Sequence, residues 1–230
     1  MKTIIALDFA NKEEAMRFLD RLESVEDKPY VKIGMELYYA EGPDIVREIK
    51  KLGYGVFLDL KLHDIPNTVK KTMKVVSNLG ADIVNVHAAG GKKMMEAALE
   101  GLTRSDGSRP KLVAVTQLTS TSPEMLKDEL LIGSTMEETI KAYARNAKEA
   151  GLDGVVCSPL EIRQVKEACG EDFITITPGI RFADSAGDDQ VRVMTPQKAR
   201  ALGTDYIVVG RPVTQAEDPV GALRRVRSEE

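Results

Sequence analysis

The chain is expected to fold as one α/β domain, a single (β/α)8 TIM barrel over residues 1–230, and three observations lead there. Short runs rich in β-branched residues recur eight times, amphipathic helical stretches separate them, and the length of 230 residues is close to the roughly 250 usual for that architecture. An open doubly wound sheet is the competing arrangement. It would bring a glycine-rich fingerprint after the first strand, whereas here Leu7 is followed by Asp8, Phe9 and Ala10.

Taken in order, the first run, 3–7, ends at Asp8, and Asn11 with Glu14 three residues on has the form of a helix start. The second, 31–33, carries Lys32, and the third, 55–60, runs into Asp59, Lys61 and Asp64. The fourth, 83–86, leads to His87, and the fifth, 112–116, to Thr119. After it, Ser122 and Pro123 open an insertion in which residues 124–131 form an extra helix, and Ser134 with Glu137 reads as a capping box for the next one. The sixth run is 154–157. The seventh, 174–176, is followed by Pro178, Gly179, Ile180 and Arg181, and Thr195 with Pro196 marks another helix start. The eighth, 206–209, leads to Gly210 and Arg211, with Pro212 placed to open a helix. No linker, low-complexity segment or repeat beyond the β-α unit interrupts the series.

Charged residues make up 30% of the chain and the net charge is -4, which gives no global attraction to nucleic acid or to an anionic membrane. The longest apolar runs are too short for a membrane span or a signal sequence, so a cytoplasmic protein is expected. Cys157 and Cys169 have neither disulfide nor metal-site spacing and are expected to be packing residues.

Barrel sites lie at the C-terminal ends of strands, where this sequence gathers Asp8, Lys32, Asp59, Lys61, Arg181 and Arg211. Asp59 and Lys61 are two apart. In an extended strand that puts both on one face, roughly 7 Å apart along the chain, with Asp64 following after a turn. Carboxylates beside a lysine favour its ammonium form, making a poor nucleophile but a well-placed proton donor. The cluster reads either as a structural ion-pair network or as a ligand-facing array. Lys32 and Asp8 favour the second, because crowding several charges in a cleft is costly unless they serve a ligand or one another. Gly210 and Arg211 can hold a phosphate, Arg211 as a bidentate clamp. The polar segment 181–194 is long enough to act as a lid, from which Arg181 and Gln190 can reach that phosphate. His63 reads as a structural neighbour of the cluster, and neither His63 nor His87 has a partner at metal-ligand spacing.

With these residues in view, the chain resembles the orotidine 5'-phosphate decarboxylase family over nearly its whole length. The resemblance runs through Ala6-Leu7-Asp8, Val31-Lys32-Ile33-Gly34, the Asp59 to Val69 segment, Thr177-Pro178-Gly179-Ile180-Arg181 and Val209-Gly210-Arg211-Pro212. It implies decarboxylation of orotidine 5'-phosphate to UMP without cofactor or metal, in a homodimer with shared active sites and no nucleic-acid or membrane partner. It gives Lys61 the task of protonating C6, within an alternating array of Lys32, Asp59, Lys61 and Asp64. Asp64 and Thr68 would reach the other subunit's site, Asp8 and Lys32 would contact the ribose, and Thr119 the pyrimidine. Arg181, Gln190, Gly210 and Arg211 would hold the phosphate side. The alternative is a magnesium-dependent sugar-phosphate decarboxylase or aldolase of the same barrel group, for which an acid is expected at the end of strand two. Lys32 stands there instead.

Overall fold

The computed structural model describes residues 1–182 and 194–228. Eight parallel strands form a closed barrel in chain order: β1 (Lys2–Leu7), β2 (Tyr30–Gly34), β3 (Gly55–Leu62), β4 (Ile83–His87), β5 (Lys111–Val115), β6 (Gly154–Val156), β7 (Ile174–Thr177) and β8 (Tyr206–Val209). β8 pairs back to β1. Each of the eight apolar runs overlaps one strand, so the expected barrel is the observed one.

Alternation along the strands sorts the apolar residues into two layers. Ile4, Ala6, Phe57, Ile83, Val113, Ile176, Tyr206 and Val208 fill the barrel interior. Their neighbours in sequence, among them Ile5, Leu7, Val56, Leu58, Val84, Leu112, Ile207 and Val209, join the larger layer under the helices. Burying a side chain of that size stabilises by roughly 1.5–3 kcal/mol, so both layers are strongly specified. The helices Pro66–Val76 and Lys92–Leu102 come unusually close. A Cβ on Gly101 would stand 2.1 Å from the Lys70 carbonyl oxygen, which only glycine allows.

The N-terminal end of the barrel is tied by three aspartates in equivalent places. Asp82, just before β4, accepts the Val56 N–H of β3 at 2.7 Å and the Lys50 ammonium at 2.7 Å. Asp153, before β6, accepts the Leu112 N–H of β5 at 2.7 Å and pairs with Arg109. Asp205, before β8, accepts the Thr175 N–H of β7 at 2.8 Å and pairs with buried Lys166 at 2.8 Å. Each bond satisfies a strand-start N–H and ties an odd strand to the even strand after it.

Local signals were met with small displacements. Asn11 accepts the Glu14 N–H, and Thr195 accepts the Lys198 N–H with Pro196 in the first turn. The capping box lies one residue later than expected, on Thr135 and Glu138, where both reciprocal bonds form and Ile140 and Ala144 then face the core. The extra helix after β5 is Pro123–Asp128, capped by Ser122; it stops short of 131, where Leu131 adopts a left-handed φ of 55°. Of the expected lid, 181–194, residues 183–193 lie outside the described residues, Gln190 among them. Its two ends meet: the Arg181 N–H donates to the Met194 oxygen at 3.0 Å. Among the described residues no helix is long and apolar enough to cross a membrane.

Candidate active site

Charged side chains gather at the C-terminal mouth in a chain of alternating sign. Asp8, directly after β1, receives the Lys32 ammonium of β2 at 2.8 Å. Lys32 lies 3.6 Å from Asp59 of β3, and the other Asp59 oxygen is 2.8 Å from the Lys61 Nζ. Strand register sets this up. Lys32 pairs in register with Ala6 and Phe57, and Asp59 with Gly34, so both point inward above the apolar interior. Gly34 leaves room for them, since a Cβ there would come 3.1 Å from the Lys32 Nζ and 3.4 Å from Asp8.

Lys61 does not continue an extended strand, as the two-residue spacing had implied. Its φ is 51°, in the left-handed region that non-glycine residues rarely occupy. The β3–β4 register passes from Leu58↔Val84 to Leu62↔Val86, so four residues of β3 stand against two of β4. This bulge brings Lys61 back toward Asp59, and their side chains meet despite the broken strand. The residue opposite the bulge is Asn85, which sequence reasoning missed. It is 1% exposed, accepts the Lys61 backbone N–H at 2.8 Å and donates to Asp59 at 2.6 Å. Strand parity could have found it, because Asn85 shares a face with Ile83, which lines the barrel interior.

Asp59 is 8% exposed. Burial pushes its carboxyl up, yet the ammonium groups of Lys32 and Lys61, with the hydrogen bonds from Lys61 and Asn85, outweigh that and hold it below the ordinary aspartate value. His87, at the end of β4, is pushed down by burial and by the nearby His63 and Lys61, against the pull of Asp59. The rings of His63 and His87 lie 5.8 Å apart, centroid to centroid.

Beside the array is a cavity of about 190 Å³ lined by Lys32, Asp59, Lys61, Gln117, Thr119, Cys157 and Pro178 among others. That is less than the roughly 300–1,000 Å³ of sites holding a whole small ligand, so it accounts for the inner end of a site. Thr119 enters this lining from the segment that follows β5. Cys157, expected to be a packing residue, is buried but also lines this cavity, its thiol pushed well up by burial. A larger groove of about 750 Å³ lies between the helices Pro66–Val76 and Lys92–Leu102 and contains none of the charged array.

Gly210 caps the short helix Arg211–Thr214 directly after β8, with Arg211 exposed at its start. Arg181, after β7, is 9% exposed and donates to the Ile180 oxygen at 2.8 Å. Asp64 and Thr68 are not gathered into the array. Within the chain Asp64 makes no ion pair with Lys61; it is exposed and accepts the Ile65 N–H at 2.6 Å. Thr68 is exposed in the first turn of Pro66–Val76. Among the described residues no three His, Cys, Asp or Glu side chains converge in a way that could hold a metal ion.

Residues 1–226 match the model of the "Orotidine 5'-phosphate decarboxylase / HUMPS family". The orotidine 5'-phosphate decarboxylase of Bacillus caldolyticus is 59% identical over 229 residues, covering 98% of this chain and 93% of the relative. That of Streptococcus thermophilus is 57% identical over 228 residues, covering 99% and 96%. The crystal structure of orotidine 5'-phosphate decarboxylase from Lactobacillus acidophilus superposes with a TM-score of 0.88 at 42% identity, covering 99% of this chain and 98% of that one.

Proposed function

The chain belongs to the orotidine 5'-phosphate decarboxylase / HUMPS family, and from that premise we propose how its residues release carbon dioxide from orotidine 5'-phosphate to leave UMP. The activity is that of a carboxy-lyase, and the decarboxylase relatives favour it over the sugar-phosphate alternative. The observation that carries the residue roles is the unbroken alternation Asp8, Lys32, Asp59, Lys61 at the barrel mouth.

When the bond from C6 to the carboxylate breaks, its electron pair stays on C6 as a carbanion with little conjugative relief. Lys61 stabilises that charge electrostatically and then delivers a proton to C6, the amine regaining its proton from solvent. A fixed cation aimed at developing charge is the efficient arrangement, because no reorganisation is needed as the charge appears. Asp59 holds the ammonium in place through its 2.8 Å contact. Lys32, held between Asp8 and Asp59, contacts the ribose together with Asp8, and Thr119 contacts the pyrimidine. Arg181, Gln190, Gly210 and Arg211 hold the phosphate, and binding energy from that non-reacting group helps to organise the site.

The reading extends to one catalytic domain over 1–230, located in the cytoplasm, and to a homodimer in which Asp64 and Thr68 enter the other subunit's site. Supporting the dimer, both residues are exposed on a segment that also exposes 66% of Ile65, and Asp64 is unpaired with Lys61 in its own chain. The reaction is taken as independent of metal, because Lys32 occupies the place where a cation would need an acid. The decisive test follows the ultraviolet change on mixing protein, orotidine 5'-phosphate and chelator. Turnover is expected with chelator present and nearly lost in Lys61→Ala; a requirement for magnesium, or an active Lys61→Ala, would refute the corresponding role.

A further inference from the structure

The barrel interior is apolar from Ile4 to Val208, and Asn85 is a buried polar side chain within it. Such a group is costly to bury unless its hydrogen bonds are made. Both ends of the amide are used, and both on the same functional pair: Oδ1 takes the Lys61 backbone N–H at 2.8 Å, and Nδ2 donates to Asp59 at 2.6 Å. The bulge explains why this is needed. With four β3 residues against two of β4, the regular ladder cannot supply the Lys61 N–H with a β4 carbonyl. The side-chain carbonyl of Asn85 takes that place and braces a residue at φ 51°. Meanwhile its amide fixes the Asp59 oxygen that also faces the Lys61 Nζ.

We infer that Asn85 is a positioning residue for the decarboxylation: one amide locks both the backbone of the proton donor and the carboxylate that orients its ammonium. The inference rests on the role given to Lys61 and adds a residue that does not line the cavity beside the array. Because it acts on the geometry of the charged pair and not on phosphate or ribose contacts, its loss should lower kcat and spare ground-state binding.

The experiment compares wild type, Asn85→Ala, Asn85→Asp and Lys61→Ala by kcat and KM for orotidine 5'-phosphate, by UMP affinity in calorimetry, and by circular dichroism. Asn85→Ala removes both bonds. Asn85→Asp is isosteric and keeps the acceptor for the Lys61 N–H but sets an anion against Asp59, so it also serves if the alanine variant fails to fold. Both are expected to lose about 100-fold in kcat, the scale of a reacting group misplaced by about 1 Å, with KM and UMP affinity within about threefold of wild type. A folded Asn85 variant with near-wild-type kcat, or one whose kcat, KM and UMP affinity all deteriorate together, would overturn the inference. With Lys61→Ala inactive, that result leaves the role of Lys61 standing. An active Lys61→Ala would instead remove that role and the inference resting on it.

Discussion

Asp59 and Lys61 meet at 2.8 Å across a stretch of backbone that turns left-handed at the lysine. Because β3 is irregular there, the ion pair depends on the bulge and on the contacts that support it, and not on strand spacing alone. The Asp59 carboxyl is correspondingly held in its charged form by two ammonium groups.

That gives a pH dependence with a definite sign. The folded-state value of Asp59 is depressed below the ordinary 3.8, so its contribution to stability is present above about pH 4 and is lost as pH falls through the folded value. Wild type should exceed Asp59→Asn in unfolding free energy at neutral pH, and the gap should narrow below pH 3.8. Urea melts across that range give the comparison; a gap independent of pH would contradict the charge pairing.

Arg211→Ala should weaken handling of the phosphorylated substrate by about 10- to 100-fold, the range for losing a hydrogen bond to a charged group. Turnover of orotidine lacking the phosphate should be nearly the same in both forms. Equal losses on both substrates would argue against a phosphate role.

If Asp64 acts in the neighbouring site, mixing inactive Asp64→Asn and Lys61→Ala subunits should restore activity, because a hybrid dimer then contains one site with both residues intact. Subunit exchange followed by the ultraviolet assay reads this directly. Hybrids that form without regaining turnover would confine Asp64 to its own chain.

At the opposite end of the barrel, Lys166 is 5% exposed and has Asp205 as its only carboxylate partner among the described residues. Asp205→Ala should cost about 3 kcal/mol, since breaking a buried pair leaves an uncompensated charge. The carbonyl oxygens of Glu171 and Phe173, which also accept from Lys166, keep the loss at the low end. Asp205→Asn, which can still accept the Thr175 N–H, should lose less in chemical denaturation. Catalysis should be unaffected in either folded variant.

Much of this architecture was legible in residue order. Eight β-branched runs and the polar residues ending them located the strands and the mouth, because strand parity and apolar burial are local properties. The same reading brought Asp8, Lys32, Asp59 and Lys61 to one mouth, while the alternating array came through resemblance, with Asp64 in it and Asp8 outside it. What escaped it depends on pairing between strands. The bulge opposite Asn85 exists only relative to β4, and the left-handed Lys61 follows from that mismatch. The tying aspartates were also passed over, although each stands one place before an even strand, in Ala81-Asp82-Ile83, Leu152-Asp153-Gly154 and Thr204-Asp205-Tyr206. Their significance appears only when the N–H groups they accept are known. Asp64, counted with the cluster from its spacing, and Thr68, named through resemblance, lie outside the array within one chain.

Those aspartates also divide the barrel into consecutive strand pairs, β3 with β4, β5 with β6, and β7 with β8. A break in the exposed turn at Ser105 and Asp106 falls between two such units and leaves every tie inside its own fragment. A break near 80 would separate Asp82 from Val56. Two separately expressed pieces joined at the first break should therefore reassemble into an active barrel more readily than pieces divided at the second, with recovered turnover as the measure. In this respect the molecule is a series of two-strand modules, and its tolerance of cutting or permutation should follow their boundaries.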